Sequence, residues 1–292
     1  MTRSGFVALA GRPNVGKSTL VNRVVGEKVA ITSDRAQTTR RAIRGVAQEG
    51  DSQLVLVDLP GFQRPRDRLT ERMQARVEHE LSDSDAALMV VNGEEGIGPG
   101  DRYIASVLRG AALPVVLAVN KCDRLDRGQT VAALADAAAL DCAEEIFPVS
   151  ARTGEGVPEM AGCLGGLMPE GPWLFPPDAV SDQPTAILVA ELVREQAIRR
   201  TFEEVPHSVE VAVEEMEPTG GVLRVRALIW VETESQKGIL VGRGGRMVKA
   251  IGTSARREIE KLLGEKVHLD LSVRVRGGWR GDDGLLDRLG IE

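Results

Sequence analysis

Apolar positions along the first half of the chain fall into short runs, at Phe6 to Ala10, Gln53 to Asp58, Ala86 to Val91, Pro114 to Asn120 and Ile146 to Ser150. Between them lie stretches with helical spacing, near Lys17 to Gly26, Leu69 to Leu81, Asp101 to Arg109, Thr130 to Ala139 and Val157 to Leu167. This alternation predicts βαβ units and a mostly parallel sheet with ligands at the strand C-termini. Ala42 to Gln48 and Gln53 to Asp58 flank Gly50-Asp51, a turn suited to joining antiparallel strands. The pattern then changes. Met168 to Asp178 is dense in proline and reads as a semi-rigid linker. Beyond it, Leu188, Val189, Leu192 and Val193 share one face of a helix over Ala186 to Phe202. Two alternating strands follow, with Val209, Val211 and Val213 on one side of the first. Leu223, Val225, Ala227, Ile229 and Val231 lie on one side of the second, and Pro218 to Gly221 form the turn. A helix burying Val248, Ile251, Ala255, Ile259 and Leu262 precedes a strand that alternates from Val267 to Val275, leaving Arg274 and Arg276 on its opposite face. The expected organisation is an α/β domain over 1–168, a linker over 169–184, a smaller α+β domain over 185–280 and a tail over 281–292.

The 292 residues are 42% hydrophobic, enough for two cores. Cys122, Cys142 and Cys163 are odd in number and lack C-x-x-C spacing, which indicates neither a disulfide framework nor a zinc site and fits a reducing cytosol. The first strand starts within a few residues of Met1, and no apolar run reaches membrane-span length, so neither a signal peptide nor a transmembrane helix is expected. A net charge of −6 argues against a protein that coats nucleic acid over its whole surface. The average conceals a basic island: from Lys237 to Arg280 there are eleven Lys and Arg against four Asp and Glu.

Gly11-Arg12-Pro13-Asn14-Val15-Gly16-Lys17-Ser18, ahead of Thr19, fits the phosphate-cradling motif G-x-x-x-x-G-K-[ST] between a strand and a helix. Gly11 and Gly16 let backbone amides turn inward, Lys17 reaches the β- and γ-phosphates, Ser18 offers a hydroxyl to Mg²⁺, and the helix N-terminus adds to the anion site. Asp58-Leu59-Pro60-Gly61 fits D-x-x-G: a carboxylate for a Mg²⁺-bound water and a glycine N–H that can approach a γ-phosphate. Asn120-Lys121-Cys122-Asp123 fits N-K-x-D, whose aspartate accepts from guanine N1–H and the 2-amino group. Adenine lacks that donor pair, so such a site rejects ATP. Ser150-Ala151 ends the next strand, where a backbone N–H could donate to guanine O6.

In the second half, Gly242-Arg243-Gly244-Gly245 fits the G-x-x-G loop with which KH domains clamp about four nucleotides of single-stranded RNA. Its glycines permit close approach to phosphates, while Lys237, Arg243, Arg246 and Lys249 supply charge. The helical segments on both sides of the loop and the basic island make RNA binding the expected role.

The ordered motifs resemble those of the translation-factor-like GTPases. The wording of the phosphate loop, Gln37-Thr38-Thr39-Arg40, Asp58-Leu59-Pro60-Gly61-Phe62, Ser235-Gln236-Lys237-Gly238-Ile239 and Val275-Arg276 with Trp279-Arg280 is similar to the Era family of bacterial ribosome-assembly GTPases. The resemblance covers nearly the whole chain. It implies a P-loop GTPase domain followed by a type II KH domain, GTP hydrolysed to GDP with Mg²⁺, and binding to 16S ribosomal RNA near its 3′ end during maturation of the small (30S) ribosomal subunit. It also implies a monomer in the cytoplasm, with weak peripheral association at the inner face of the cell membrane, for which the sequence carries no anchor. The expected catalytic set is Asn14, Lys17, Thr39 and Gly61. Nucleotide contacts come from Gly11, Asn14, Val15, Gly16, Lys17, Ser18, Thr19, Asp58, Gly61, Asn120, Lys121, Asp123, Ser150 and Ala151. Ser18, Asp58 and Thr39 hold the metal, with Thr38 the competitor of Thr39.

Two residues bear on rate. Phe62 stands where Ras-type enzymes carry a water-orienting glutamine, so slow intrinsic hydrolysis is expected. The resemblance further implies that Asn14 helps hold a potassium ion beside the phosphates. A rival reading, an RNA-binding protein using GTP only as a structural ligand, gains from Phe62 and loses from the intact Lys17, Ser18, Asp58 and Gly61. Thr185-Ala186 departs from the family's Arg-Phe pair at the first KH helix. His79, His207 and His268 show no metal or triad spacing.

Overall fold

The computed structural model describes residues 1–33, 38–62 and 65–291, so Gln37 lies outside the described residues. The chain divides into two compact units. One comprises Met1–Ala30, Thr39–Arg66 and Thr70–Asp182; the other comprises Ile31–Thr38, Asp67–Leu69 and Gln183–Glu292.

The first unit is built on a six-stranded sheet. Its order is β2 (Ile43–Glu49), β3 (Ser52–Asp58), β1 (Arg3–Ala10), β4 (Ala86–Asn92), β5 (Val115–Asn120) and β6 (Glu145–Pro148). Neighbours run parallel except β2 and β3, which form the antiparallel pair expected around Gly50-Asp51. Alternate residues of β1 feed opposite cores, because successive side chains in a strand point to opposite faces. Val7 and Leu9 pack with Leu20 and Val21 of α1 (Lys17–Val25) and with Met160 and Leu164 of α5 (Val157–Leu167). Ala8 and Ala10 pack with Val77 and Leu81 of α2 (Arg68–Ser82), Ile104 and Leu108 of α3 (Pro99–Gly110), and Ala137 of α4 (Arg127–Ala138). With both faces covered, buried Val and Leu side chains stabilise the sheet by about 1.5–3 kcal/mol each. Because β1 lies between β3 and β4, the loop leaving it opens at the point where strand order reverses, which is where open α/β sheets bind ligands.

The proline-dense stretch differs from the linker expected over 169–184: as far as Asp182 it belongs to the first unit. Its backbone is tied down by Ser4 N–H donating to the Pro169 carbonyl at 3.1 Å and by Val46 N–H donating to the Val180 carbonyl at 2.9 Å. The wholly buried Gln53 side chain accepts from the N–H groups of Leu174 and Phe175, each at 2.9 Å, and donates to the Phe175 carbonyl. A segment without its own secondary structure thus has its polar groups met by neighbouring strands.

The second unit carries a three-stranded sheet in the order β7 (Glu210–Thr219), β8 (Val222–Val231), β9 (Val267–Val275), the first pair antiparallel and the second parallel. Its core joins Val225, Ala227 and Ile229 to Val189 and Val193 of α6 (Thr185–Arg199) and to Ile251, Ala255 and Ile259 of α9 (Arg246–Leu263). Despite Thr185-Ala186, α6 is therefore docked. With the short helix α8 (Glu234–Val241) the order is helix, two strands, two helices and a strand, and the short helix α7 (Val205–Ser208) is an addition to it. The turn is tighter than expected: β7 continues through Pro218, and Gly220 and Gly221 turn the chain at φ +59° and +79°. Proline is tolerated there because β7 is an edge strand. Residues 281–291 are likewise more ordered than a tail. Asp282 accepts from Leu285 N–H at 3.1 Å to start α10 (Asp283–Arg288), and Leu286, Leu289 and Ile291 are buried. The wholly buried Trp279 donates its indole N–H to the Ser208 carbonyl at 3.3 Å.

Candidate functional site

The loop between β1 and α1 is shaped by close approaches that only glycine allows. A Cβ on Gly11 would lie 2.5 Å from the Val90 carbonyl oxygen. Gly16 sits at φ +103°, and a Cβ there would collide with Asn120 Nδ2. Lys17 is buried, its ammonium donating to the Gly11 carbonyl at 3.0 Å and the Arg12 carbonyl at 3.2 Å. Burial pulls its pKa from 10.5 down to about 8, opposed by the nearby Asp58 carboxylate. A phosphate in the loop would add counter-charge to that of Asp58 beside this ammonium.

Three oxygen-bearing side chains meet beside this lysine. Ser18 Oγ donates to Asp58 Oδ2 at 2.6 Å, Thr39 Oγ1 donates to the same oxygen at 3.2 Å, and the two hydroxyls are 3.1 Å apart. Two hydroxyls and a carboxylate are the hard ligands Mg²⁺ takes alongside waters and substrate phosphates, so the donor set fits that ion. Thr39 is the threonine at this cluster; the Thr38 carbonyl instead accepts from Arg194. Gly61 packs so closely on the phosphate loop that a Cβ would lie 2.8 Å from Pro13. The next side chain, Phe62, is buried in the sheet core. Asn14 is exposed on the loop at φ +66°, a conformation asparagine tolerates better than most residues.

At the other end of the cleft, Asn120 is a brace. Its Nδ2 donates to the Val15 carbonyl at 2.8 Å and its Oδ1 accepts Ala151 N–H at 3.0 Å, tying the phosphate loop to the Ser150-Ala151 turn. Of the two backbone N–H groups at Ser150-Ala151, that of Ala151 is thus bonded to Asn120. Lys121 stands at φ +70° between Asn120 and Asp123. Asp123 accepts the Ser150 hydroxyl at 2.7 Å, and Arg152 approaches its second oxygen to 2.8 Å. Ser150's hydroxyl, then the Arg152 charge, hold this carboxyl below its usual range against the opposing effect of burial.

In the second unit the G-x-x-G loop joins α8 to α9. Gly242, Gly244 and Gly245 have φ of +68°, +61° and +77°. A Cβ on Gly242 would strike Met247 at 2.8 Å, whereas positions 244 and 245 open onto free space. Arg243, Arg246 and Lys249 are exposed around the loop; Lys237 is half-buried and 3.7 Å from Glu234.

Residues 6–121 match the model of a family described as 50S ribosome-binding GTPase, and residues 204–280 match the KH domain. GTPase Era of Lactobacillus helveticus is 44% identical over 291 residues, spanning 99% of this chain and 96% of that protein. GTPase Era of Mycobacterium bovis is 45% identical over 295 residues, spanning 99% and 98%. The chain belongs to the Era family of GTPases. Two crystal structures agree with this Era-family assignment across both units. One, of Era in complex with MgGDPNP and nucleotides 1506–1542 of 16S ribosomal RNA, superposes with a TM-score of 0.96 at 35% identity, covering 100% of this chain and 99% of that one. The other, a single-site variant of Aquifex aeolicus Era bound to GDP·AlF4⁻, gives 0.96 at 34% identity, covering 99% of each.

The structure adds residues that the motifs did not reveal in this Era-family chain. Arg12 pairs with the wholly buried Asp101 at 2.8 Å, anchoring the phosphate loop to the start of α3. Arg23 on α1 donates to the carbonyls of Ala151 and Arg152, fixing the base-side turn. No periodicity marks these arginines. Among the described residues no group of three or more His, Cys, Asp or Glu could by itself hold a metal ion, and no helix is long and apolar enough to cross a membrane.

Proposed function

We propose that this protein is a GTP-hydrolysing switch that binds 16S ribosomal RNA near its 3′ end and assists assembly and maturation of the small ribosomal subunit. The observation that carries the reading is the convergence of Ser18, Thr39 and Asp58 next to a buried Lys17, in a chain that also holds an open, basic G-x-x-G loop. In this reading Val15, Gly16, Lys17, Ser18 and Thr19 surround the phosphates, with loop amides and Lys17 neutralising charge that develops between β- and γ-phosphates. Ser18, Thr39 and Asp58 hold Mg²⁺, which bridges phosphate oxygens and offsets their charge. Thr39 arrives from the loop before β2 and Gly61 from the end of β3, so both sense the γ-phosphate end of the nucleotide. Asn120 braces the cleft and Asp123 selects guanine. Gly242 to Gly245 take the RNA backbone, with Lys237, Arg243, Arg246 and Lys249 supplying charge.

Because Phe62 is committed to the core, no side chain at that position orients the attacking water, and unassisted turnover is slow. We further propose that potassium, held with help from Asn14, supplies positive charge where an arginine finger acts in other GTPases. The exposed position of Asn14 on the phosphate loop supports this role. The protein acts as a monomer in the cytoplasm, and weak association with the inner membrane face belongs to the same family reading. Single-turnover GTP hydrolysis in potassium and in sodium tests the rate assignment: potassium stimulates the parent, and Asn14→Ala removes most of that stimulation with nearly unchanged GTP affinity. Equal rates in the two salts defeat it.

A further inference from the structure

The guanidinium of Arg152 stands at the carboxylate that the proposed function assigns to guanine. Its backbone is pinned, because Arg23 holds the carbonyls of Ala151 and Arg152. Its side chain is 71% exposed, yet it reaches Asp123 Oδ2 at 2.8 Å, while the Asp123 side chain is only 8% exposed. Reading guanine needs both oxygens of Asp123, one for N1–H and one for the 2-amino group. The Ser150 hydroxyl on Oδ1 is compatible with that, since a carboxylate oxygen accepts more than one donor. The guanidinium is different. At 2.8 Å it takes the space that the base edge must enter, and it offers a charged partner where guanine offers a neutral one.

We propose that Arg152 is an internal competitor of guanine for Asp123 and so sets the affinity of the site for guanine nucleotides. The inference rests on Asp123 being the base-reading residue. The turn does not depend on the pair for its shape: Ser150 N–H donates to the Glu155 carbonyl at 2.9 Å, Gly154 N–H to the Ser150 carbonyl at 2.7 Å and Thr153 N–H to Ser150 Oγ at 3.1 Å. Only molecules in which Arg152 has swung away are ready for the base, so the apparent affinity is reduced by that fraction and the loss appears in the association rate. Because the arginine end of the pair is exposed, it is held weakly, and the expected effect is about two- to fivefold.

The test is equilibrium and stopped-flow binding of a fluorescent GDP analogue to the full chain. Arg152→Ala tightens binding about two- to fivefold through faster association, and high salt narrows its difference from the parent because salt already weakens the pair. Asp123→Asn, followed with guanine and xanthine nucleotides, checks the foundation separately, since an amide can donate to the 2-oxo group of xanthine. In that background Arg152→Ala has no effect on xanthine nucleotide binding. Weaker or unchanged GDP binding by Arg152→Ala, in a protein whose Asp123→Asn variant does turn to xanthine, overturns the competition alone. Retained guanine preference in Asp123→Asn overturns the base-reading assignment beneath it.

Discussion

Two glycine-rich loops in this chain are proposed to take phosphate, and they are built in opposite ways. The loop from Gly11 to Ser18 is enclosed: Val15 and Lys17 are buried, Asn120 braces the Val15 carbonyl, and added Cβ atoms at Gly11 or Gly16 would collide with backbone or side chain. The loop from Gly242 to Gly245 is open, its last two glycines facing free space and its cations exposed. An enclosed loop gains from fixed amides, because its ligand is one compact phosphate chain whose charges always fall at the same places. A loop that takes a flexible strand gains from space and from mobile charge, because successive backbone phosphates need not present identical geometry. Glycine serves rigidity in the first and clearance in the second.

The contrast is broken most readily at Gly16. Gly16→Ala meets both a left-handed backbone and the Asn120 amide, and nucleotide affinity falls on the order of a hundredfold; titration with a fluorescent nucleotide measures it, and a change below about threefold would contradict the enclosed loop. Gly244→Asp adds bulk and negative charge where RNA phosphates approach. It lowers single-stranded RNA affinity by at least about tenfold while GTP binding stays unchanged, because its Cβ meets no neighbouring atom. A gel or filter assay beside nucleotide titration separates those outcomes. The smallest effect belongs to Arg243→Ala: a few-fold drop in RNA affinity, and a plot of log affinity against log salt that is shallower by about 0.7 for each phosphate the guanidinium no longer neutralises. An unchanged slope would mean that Arg243 does not face phosphate.

The strands, helices and glycine loops were legible in the sequence because each depends on local periodicity or on a motif with fixed spacing. Thr39 could be ranked above Thr38, but only the fold brings its hydroxyl to Asp58. Arg12, Arg23 and Arg152 were not legible as braces or competitors, since their partners Asp101, Ala151 and Asp123 are joined to them by tertiary structure or a turn that no short pattern encodes. The bond from Ala151 N–H to the Asn120 side chain on the neighbouring strand was not legible for the same reason. The course of residues 169–182 escapes the sequence because proline density signals stiffness and says nothing of what the stiff segment lies against.

That segment also changes what the sheet offers to other chains. Strand β2 is an edge, and an edge strand with unpaired amides and carbonyls is a template on which foreign strands add and aggregates grow. Here Val180 accepts the Val46 amide, Ser181 Oγ donates to the Arg44 carbonyl at 2.7 Å and the Pro177 carbonyl accepts from the Gln48 side chain. Pro176 and Pro177 bring no N–H of their own with which to extend the ladder outward. A chain cut after residue 168 would keep every strand of the sheet and lose this cover, and it would precipitate at concentrations that a chain ending after residue 182 tolerates.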